Sequence, residues 1–390
     1  MRRILYLADP NSIHDIKWMS FFSQQEEYEC FCIARRHHVK SESDTATKLS
    51  NVQINFLGCT SDYSVAKFWR NPGQAKEIKA LIQRYKIDAF HIMYAEPNAL
   101  WGLYRNSFKI PMVLTTRGTD VLQTIPQFRQ GTSLLSKLVF NRYKKAFASF
   151  DEICGTSIRQ SESIHQMFGK QLSDFHLIRT GVDIVELKKT VTPIEGKYIF
   201  FPRVMRPIYD HELALQAIGG LTEKIRKEYK FVFIGKNGTD QSYVEALKTK
   251  ISDHSVQKNI HFLDSLDKDE MFQYYQHASL VVMTPKSDGT PVSALEAMLC
   301  KAPLIIPNLA YDEELFSSVL KYTAGDADDL TRKIQSKLDD DASDAEEKNL
   351  QAVIAHGDRK KEMSKLAQIY SNLVHGPARR SSGDTKLEKK

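Results

Sequence analysis

Two acids with seven residues between them, Asp288 and Glu296, flank a Gly-Thr-Pro turn in the stretch Ser287-Asp288-Gly289-Thr290-Pro291-Val292-Ser293-Ala294-Leu295-Glu296-Ala297-Met298. The pattern predicts a helix with Pro291 in its first turn and Thr290 as its cap, while Gly289 lets a ligand approach the backbone closely. The N–H groups that follow, from Val292 onward, and the helix dipole then favour an anion such as a diphosphate. One acid precedes the helix and the other lies along it, so the pair can hold hydroxyl groups at the two ends of a polar ligand. Capping the helix is the simpler reading of Asp288. Arg203, in Phe201-Pro202-Arg203-Val204, ends another apolar run. Its planar fork matches phosphate oxygens and can stabilise charge developing on a departing diphosphate. Lys286 and Arg206 are further candidate cations, each with an ordinary surface role as the alternative.

Positioning such groups calls for sheets whose strands end at the same edge. Short apolar runs alternate with helical patterns along the chain, which predicts parallel sheets wrapped by helices. The first series of strand candidates is Ile4 to Leu7, Tyr28 to Ala34, Val52 to Leu57, Ala89 to Tyr94, Pro111 to Thr115, Glu152 to Cys154 and Phe175 to Ile178. The second is Tyr198 to Phe201, Lys230 to Ile234, Asn259 to Phe262, Leu280 to Met283 and Pro303 to Ile306. Residues 1–185 are expected to form one Rossmann-like domain, 186–197 a linker carrying Pro193 and Gly196, and 198–359 a second such domain. A terminal helix is expected over 360–375, crossing back to the first domain, and a disordered basic tail over 376–390. In doubly wound sheets ligands sit beyond the carboxyl ends of the strands, which gives the loops there their interest.

At 390 residues the chain is long enough for two cores. With 42% hydrophobic and 26% charged residues it reads as soluble and globular, and its first residues lack a signal peptide's apolar region. The cytoplasm is the expected location. Five cysteines, an odd number in scattered places, support neither a disulfide framework nor a metal site, and Cys30 and Cys32 are read as facing opposite ways on one strand. Met1 to Thr190 holds 26 basic against 18 acidic residues, leaving 28 against 30 in the rest. A basic first half suits an anionic partner, a phospholipid surface or phosphorylated acceptor; incidental surface charge is the alternative.

The acid, seven residues, acid stretch resembles the motif of retaining GT-B glycosyltransferases, in particular glycosyltransferase family four. The resemblance implies two doubly wound Rossmann-like α/β domains facing a cleft, the second holding a UDP- or GDP-linked sugar and the first an acceptor. It assigns Glu296 to the nucleotide ribose and Asp288, where the family usually has Glu, to the donor sugar. Arg203 stands where the family carries a Gly-Arg pair, with Ile208 in place of the usual lysine five residues on. Phe231 to Gly238 resembles the family's strand and Gly-containing loop, giving Gly235 and Lys236 as donor contacts. Asn259 to Leu266 resembles the stretch whose backbone reads the base, giving Leu263 and Asp264. Gly289, Thr290, Pro291 and Val292 complete the donor set with Lys286.

On the acceptor side, Pro111 to Asp120 resembles a family segment that usually ends in His-Gly, with Arg117 replacing the histidine. A cation there suits a phosphate or anionic acceptor, and a structural pair with Asp120 is the alternative. His91 to Pro97 resembles the family's His-containing strand and makes Glu96 an acceptor-orienting candidate. Asp9 to Trp18 lacks the family's Gly-rich loop; Asn11 or Ser12 caps the following helix and leaves His14 and Lys17 toward the acceptor. Ser133 to Phe150 forms a basic amphipathic helix, read first as packing on the first sheet and otherwise as a contact with an anionic membrane.

The resulting expectation is retaining, metal-independent hexosyl transfer to a glycan or lipid-linked acceptor, with no cofactor, in surface polysaccharide assembly at the inner face of the cell membrane. A nucleotide-sugar epimerase of the same fold and a non-catalytic sugar-nucleotide or glycan-binding protein are the alternatives. A nicotinamide dehydrogenase is set aside because Pro10-Asn11-Ser12 replaces the Gly-rich fingerprint, and no motif supports nucleic-acid binding.

Overall fold

The computed structural model describes residues 1–61, 72–169, 175–187, 190–235, 240–250, 257–340 and 344–375. The chain forms two compact units, the first from Met1–Ile178 together with the residues from Lys361 on, the second from Arg179–Lys360. The expected tail, 376–390, and Lys236 lie outside the described residues.

Unit 1 is built on seven parallel strands, β1 (Arg2–Leu7), β2 (Tyr28–Arg35), β3 (Ile54–Thr60), β4 (Ala89–Met93), β5 (Met112–Thr116), β6 (Glu152–Gly155) and β7 (Phe175–Leu177), in the order β3-β2-β1-β4-β5-β6-β7. Side chains alternate across a strand, and β1 shows the consequence. Leu5 and Leu7 enter one core with Phe31, Ile33, Trp101 and Phe147, whereas Ile4 and Tyr6 enter another with Trp18 and Phe22. Both faces are therefore covered, as a parallel sheet requires. The second core is completed by Met363, Leu366, Ile369 and Tyr370 of the helix Arg359–His375. Cys30 and Cys32 both lie in that same core, which corrects the expectation of opposite faces: residues two apart on a strand share a face.

Deep in this core His91 stands between the Tyr370 hydroxyl at Nδ1 and the Thr115 hydroxyl, 2.6 Å from Nε2. The Tyr370 hydroxyl also donates to that of Tyr6 at 3.2 Å, so three strands and the last helix share one polar chain. Burial, with a smaller contribution from Arg117, pushes the His91 imidazole down to about 3.

Unit 2 carries β8 (Lys197–Phe201), β9 (Tyr229–Ile234), β10 (Ile260–Leu263), β11 (Leu280–Val282), β12 (Leu304–Pro307) and β13 (Leu320–Tyr322), all parallel, in the order β10-β9-β8-β11-β12-β13. Tyr198 and Phe200 face one core, Ile199 and Phe201 the other. Arg179, ahead of the expected linker, already belongs to this unit: its side chain is 3% exposed and meets Asp312 at 2.5 Å and Glu314 at 2.5 Å. Gly181, at a φ of 65°, lies so near the Arg359 backbone that a Cβ would come within 2.7 Å of the Arg359 Cα.

Candidate active site

In each sheet the strand order reverses beside the first strand, between β1 and β4 in unit 1 and between β8 and β11 in unit 2. Such reversals open a crevice at the carboxyl ends of the strands. The chemistry-bearing residues of each unit gather there.

In unit 2 Arg203 follows β8 and Asp288 follows β11. The Arg203 Nη2 meets Asp288 Oδ2 at 3.0 Å, Nη1 donates to the Ser293 hydroxyl at 2.8 Å, and the guanidinium lies over the Tyr209 ring, 4.1 Å from its centre. One fork thus joins the acid before the helix to the helix's own first turn. Burial pushes the Asp288 carboxyl up, against the opposing pull of Arg203 and the Gly289 N–H, which donates to its Oδ1 at 2.9 Å. The Arg203 carbonyl is 3.0 Å from His211 Nε2, and burial pushes that imidazole down to about 4, so it stays neutral near pH 7 and acts as a fixed donor.

The helix runs Val292–Leu299 with Pro291 in the cap position and no side-chain hydrogen bond at its start. This corrects the expected cap: Thr290 lies one residue outside, because Pro291 keeps an extended ψ of 111° and postpones the first helical residue to Val292. Pro291 itself has no side-chain group to offer the first N–H groups of the helix. Glu296 is half-buried on the same helix. Both it and Arg203 act on the buried Tyr275 phenol, which burial and then Glu296 push well up while Arg203 pulls it down. Glu296 and Arg203 are therefore both electrostatic neighbours of one buried phenol.

A Cβ on Gly289 would meet no protein atom within 4 Å, so the turn has open space beside it. Gly235 has the opposite environment: its N–H donates to the Leu263 carbonyl at 2.7 Å, and a Cβ would stand 3.0 Å from that oxygen. This brings the loop after β9 against the end of β10, placing Gly235 beside Leu263, with Asp264 next in the chain. The exposed ammonium of Lys286 is 3.5 Å from Asp210 Oδ1 and its backbone N–H donates to the Ile208 carbonyl.

In unit 1 Arg117 follows β5 and reaches across to the helix Ile13–Ser23 that follows β1. Its Nη2 donates to Asp15 Oδ1 at 2.8 Å and its guanidinium covers the Trp18 ring, 4.5 Å from the centre. The expected alternative of a pair with Asp120 is corrected. Asp120 is fully buried and accepts four backbone N–H groups, from Ala95, Arg117, Gly118 and Val121, so it fixes the loop that carries Arg117 while the Arg117 side chain pairs elsewhere. Asp15 also accepts from the Asp9 N–H at 3.0 Å. Ser12 caps this helix by accepting from the Asp15 N–H at 3.2 Å. His14 is exposed and Lys17 half-exposed on the same helix. Glu96 is half-buried after β4; burial pushes its carboxyl up, and Arg35 at the end of β2 pulls it back.

Asp15, Trp18, Arg35, Tyr209 and Ser293 are site neighbours that the sequence reading gave no role. The Ser12-x-x-Asp15 spacing signals a helix start, and that local role concealed the ion pair that Asp15 makes 102 residues away.

The helix Leu134–Ala148 divides in two. Val139, Tyr143, Ala146 and Phe147 are buried against unit 1, but Leu134, Leu135 and Leu138 are 86%, 52% and 45% exposed. Packing therefore accounts for only part of its apolar face.

Comparison with known proteins agrees with this architecture. Residues 185–351 match the family model described as Glycosyl transferases group 1, and residues 3–152 the model described as Glycosyl transferase 4-like. An uncharacterized glycosyltransferase of Methanocaldococcus jannaschii is 26% identical over 236 residues, a stretch that spans 58% of this chain and 58% of that relative. A glycosyltransferase from Rickettsia africae superposes with a TM-score of 0.74 at 14% identity, covering 96% of this chain and 99% of that one. The HepE protein of Anabaena, solved in complex with UDP, superposes with a TM-score of 0.74 at 13% identity over 96% of this chain and 100% of its own. The chain belongs to the group 1 glycosyltransferases and has the two parallel-sheet, Rossmann-like domains of the GT-B fold.

Proposed function

We propose that the protein transfers a sugar from a UDP- or GDP-linked donor to a glycan or lipid-linked acceptor with retention of configuration. The observation that carries this reading is the Arg203 fork, shared between Asp288 and the uncapped helix start at Ser293. A diphosphate placed there meets a guanidinium and a set of backbone N–H groups at once, the arrangement that stabilises negative charge on a leaving group. Glu296, further along the helix, holds the ribose hydroxyls, and Asp288 a hydroxyl of the donor sugar. Gly235, Leu263 and Asp264 stand along the nucleotide, and Gly289, Thr290, Pro291 and Val292 along the diphosphate.

The step is a front-face substitution. The bond from the anomeric carbon to the diphosphate oxygen breaks, the acceptor oxygen bonds to the same face of that carbon, and the departing diphosphate oxygen takes the acceptor's proton. Atoms and charge balance without a protein nucleophile, and no bound metal is required. Unit 1 supplies the acceptor contacts, with Arg117, Glu96, His14 and Lys17 as candidates.

Nucleotide release measured with and without acceptors tests the reading. Transfer requires acceptor-dependent release that Glu296→Ala or Arg203→Ala abolishes; a full-rate variant would sink it. Interconversion of nucleotide sugars without an acceptor would make the protein an epimerase, and binding without turnover a sugar-nucleotide-binding protein. Full activity in the presence of a chelator is expected, and a loss restored by a divalent cation would overturn the metal-free step.

The setting we propose is surface polysaccharide assembly at the inner face of the cell membrane. The exposed Leu134, Leu135 and Leu138 share a helix with Lys137, Arg142, Lys144 and Lys145 and no acid, a composition that suits an anionic lipid surface. Among the described residues no helix is long and apolar enough to cross a membrane, so the contact would be peripheral. Cosedimentation with phosphatidylglycerol vesicles, lost in Leu134→Ser/Leu138→Ser, is the expected result; equal recovery of parent and variant would refute the contact.

A further inference from the structure

Unit 1 contains a cavity of about 350 Å³ lined by groups that take no part in the sites above. Its basic side chains are His37, His38, Lys40 and Lys48, its hydroxyls belong to Ser41 and Thr45, and Asp44 is its acid. The chain builds it compactly. β2 ends at Arg35, a single turn of 3-10 helix follows over Arg36–His38, and the helix Glu42–Ser50 starts behind the Ser41 cap. Asn11, from the loop after β1, closes the wall by donating to the His38 carbonyl at 2.5 Å. The cavity therefore lies beyond the carboxyl ends of β1 and β2, where doubly wound sheets present ligands.

Two features suit it to an anion with several oxygens. The basic groups come from the 3-10 turn, the link after it and the last turn of the helix Glu42–Ser50 and converge on one space, with Lys48 held in place by its 2.8 Å bond to the Pro10 carbonyl. The His38 ring stands 3.9 Å from that of His37, and its Nδ1 is buried without a hydrogen bond, 3.8 Å from Asp9 Oδ1. Burial lowers the His38 imidazole, Asp9 raises it, and the neighbouring His37 and Arg35 lower it again. A dianion among these groups would act with Asp9 to draw a proton onto the ring, setting the imidazolium and the two ammonium charges against the carboxylates of Asp9 and Asp44. The volume exceeds that of a lone phosphate and admits part of whatever the phosphate is attached to.

We propose that this cavity binds a phosphoryl group carried by the acceptor. The inference rests on the transferase reading, with unit 1 as the acceptor side, and adds the acceptor's chemistry: a sugar phosphate or a phosphate-bearing lipid in place of a neutral glycan.

The two sources are separated by two probes, glucose 1-phosphate and monomeric short-chain phosphatidic acid, both phosphomonoesters, each titrated into the full chain saturated with UDP or GDP. Binding is followed calorimetrically and through the His38 ring resonances. The expected result is saturable binding of at least one probe with an upward shift of the His38 titration. That binding should weaken at least tenfold in Lys40→Ala/Lys48→Ala and in the exposed single variant Lys40→Glu, and survive in Lys40→Arg/Lys48→Arg. Unchanged thermal unfolding of the variants establishes that they are folded. A parent chain that binds nucleotide but neither probe overturns the inference and leaves the donor reading standing, as does probe binding indifferent to all three variants. Failure of the parent to bind UDP or GDP, with probe binding intact, counts against the donor reading alone.

Discussion

The two units solve a similar problem with the same three groups and reach different results. Each has an arginine beyond a strand end, lying over an aromatic ring and paired with an aspartate from another element: Arg203, Tyr209 and Asp288 in unit 2, Arg117, Trp18 and Asp15 in unit 1. In unit 2 the side chains are 18% and 15% exposed, and the fork has a second anchor at Ser293, on a helix start with no side-chain cap. In unit 1 they are 13% and 8% exposed, and Arg117 Nε and Nη1 are buried without a hydrogen-bond partner. The more exposed pair borders a helix end able to receive an anion. The more enclosed pair ties the helix after β1 to the loop after β5. The two pairs differ in what the remaining guanidinium nitrogens touch: a hydroxyl on a helix start in unit 2, and no hydrogen-bond partner in unit 1.

The comparison breaks most sharply at Arg203. Arg203→Ala should lower acceptor-dependent transfer by roughly 10²- to 10³-fold while the chain stays folded, as read from initial rates and circular dichroism. Arg117→Ala should act on stability, whatever it does to acceptor binding. It leaves Asp15 charged and enclosed, at a cost of about 3 kcal/mol, and Asp15→Asn in the same chain should recover part of it. All three tryptophans fall within Met1–Ile178, so tryptophan fluorescence during urea unfolding reports on this unit alone. A larger loss of stability from Arg203→Ala than from Arg117→Ala, with both followed by circular dichroism during urea unfolding, would reverse the assignment.

Acid separates the units through their buried histidines. The unfolded imidazole takes a proton near 6.5, whereas His91 is held to about 3 and His211 to about 4. The unfolded state therefore binds more protons below 6.5, and stability falls with falling pH. The loss amounts to about 1.4 kcal/mol per pH unit for each group and ends near 4 in unit 2 but near 3 in unit 1. Tryptophan-monitored unfolding between pH 7 and 4 should show it, and His91→Gln should flatten the slope; an unchanged slope would remove His91 as its source. The smallest effect is expected from Ser293→Ala, which removes one anchor of the Arg203 fork. It should cost about 1 kcal/mol, near fivefold in kcat/KM, and no detectable change would mean that Asp288 and Tyr209 position Arg203 by themselves.

Much of the fold could be read from the chain because a parallel strand covered on both faces is an uninterrupted apolar run. Twelve strands form where such runs stand. The thirteenth, Leu320–Tyr322, escaped because it is a three-residue edge strand with Lys321 in its middle. Arg203, Asp288 and Glu296 were legible as candidates because a loop, a proline and a helix place them within one short stretch or at one strand end. The Asp15 partner of Arg117 was not, since no periodicity links residues on different elements. The cap of the helix at Val292 was misread because Pro291 tolerates both the first turn and the cap, and only the backbone angles decide between them.

The helix Arg359–His375 sets an order of events for the growing chain. The face of the first sheet that buries Trp18, Phe22 and Tyr28 is finished by Met363, Leu366, Ile369 and Tyr370, which are made only after the whole of the second unit. During synthesis the early segment must therefore wait with an apolar wall uncovered, and the last helix acts as a latch that closes it. A chain stopped after Asp358 should bind a hydrophobic dye and aggregate, and supplying the missing helix as a separate peptide should reverse both. Dye binding equal to that of the full chain would show that the wall closes without the latch.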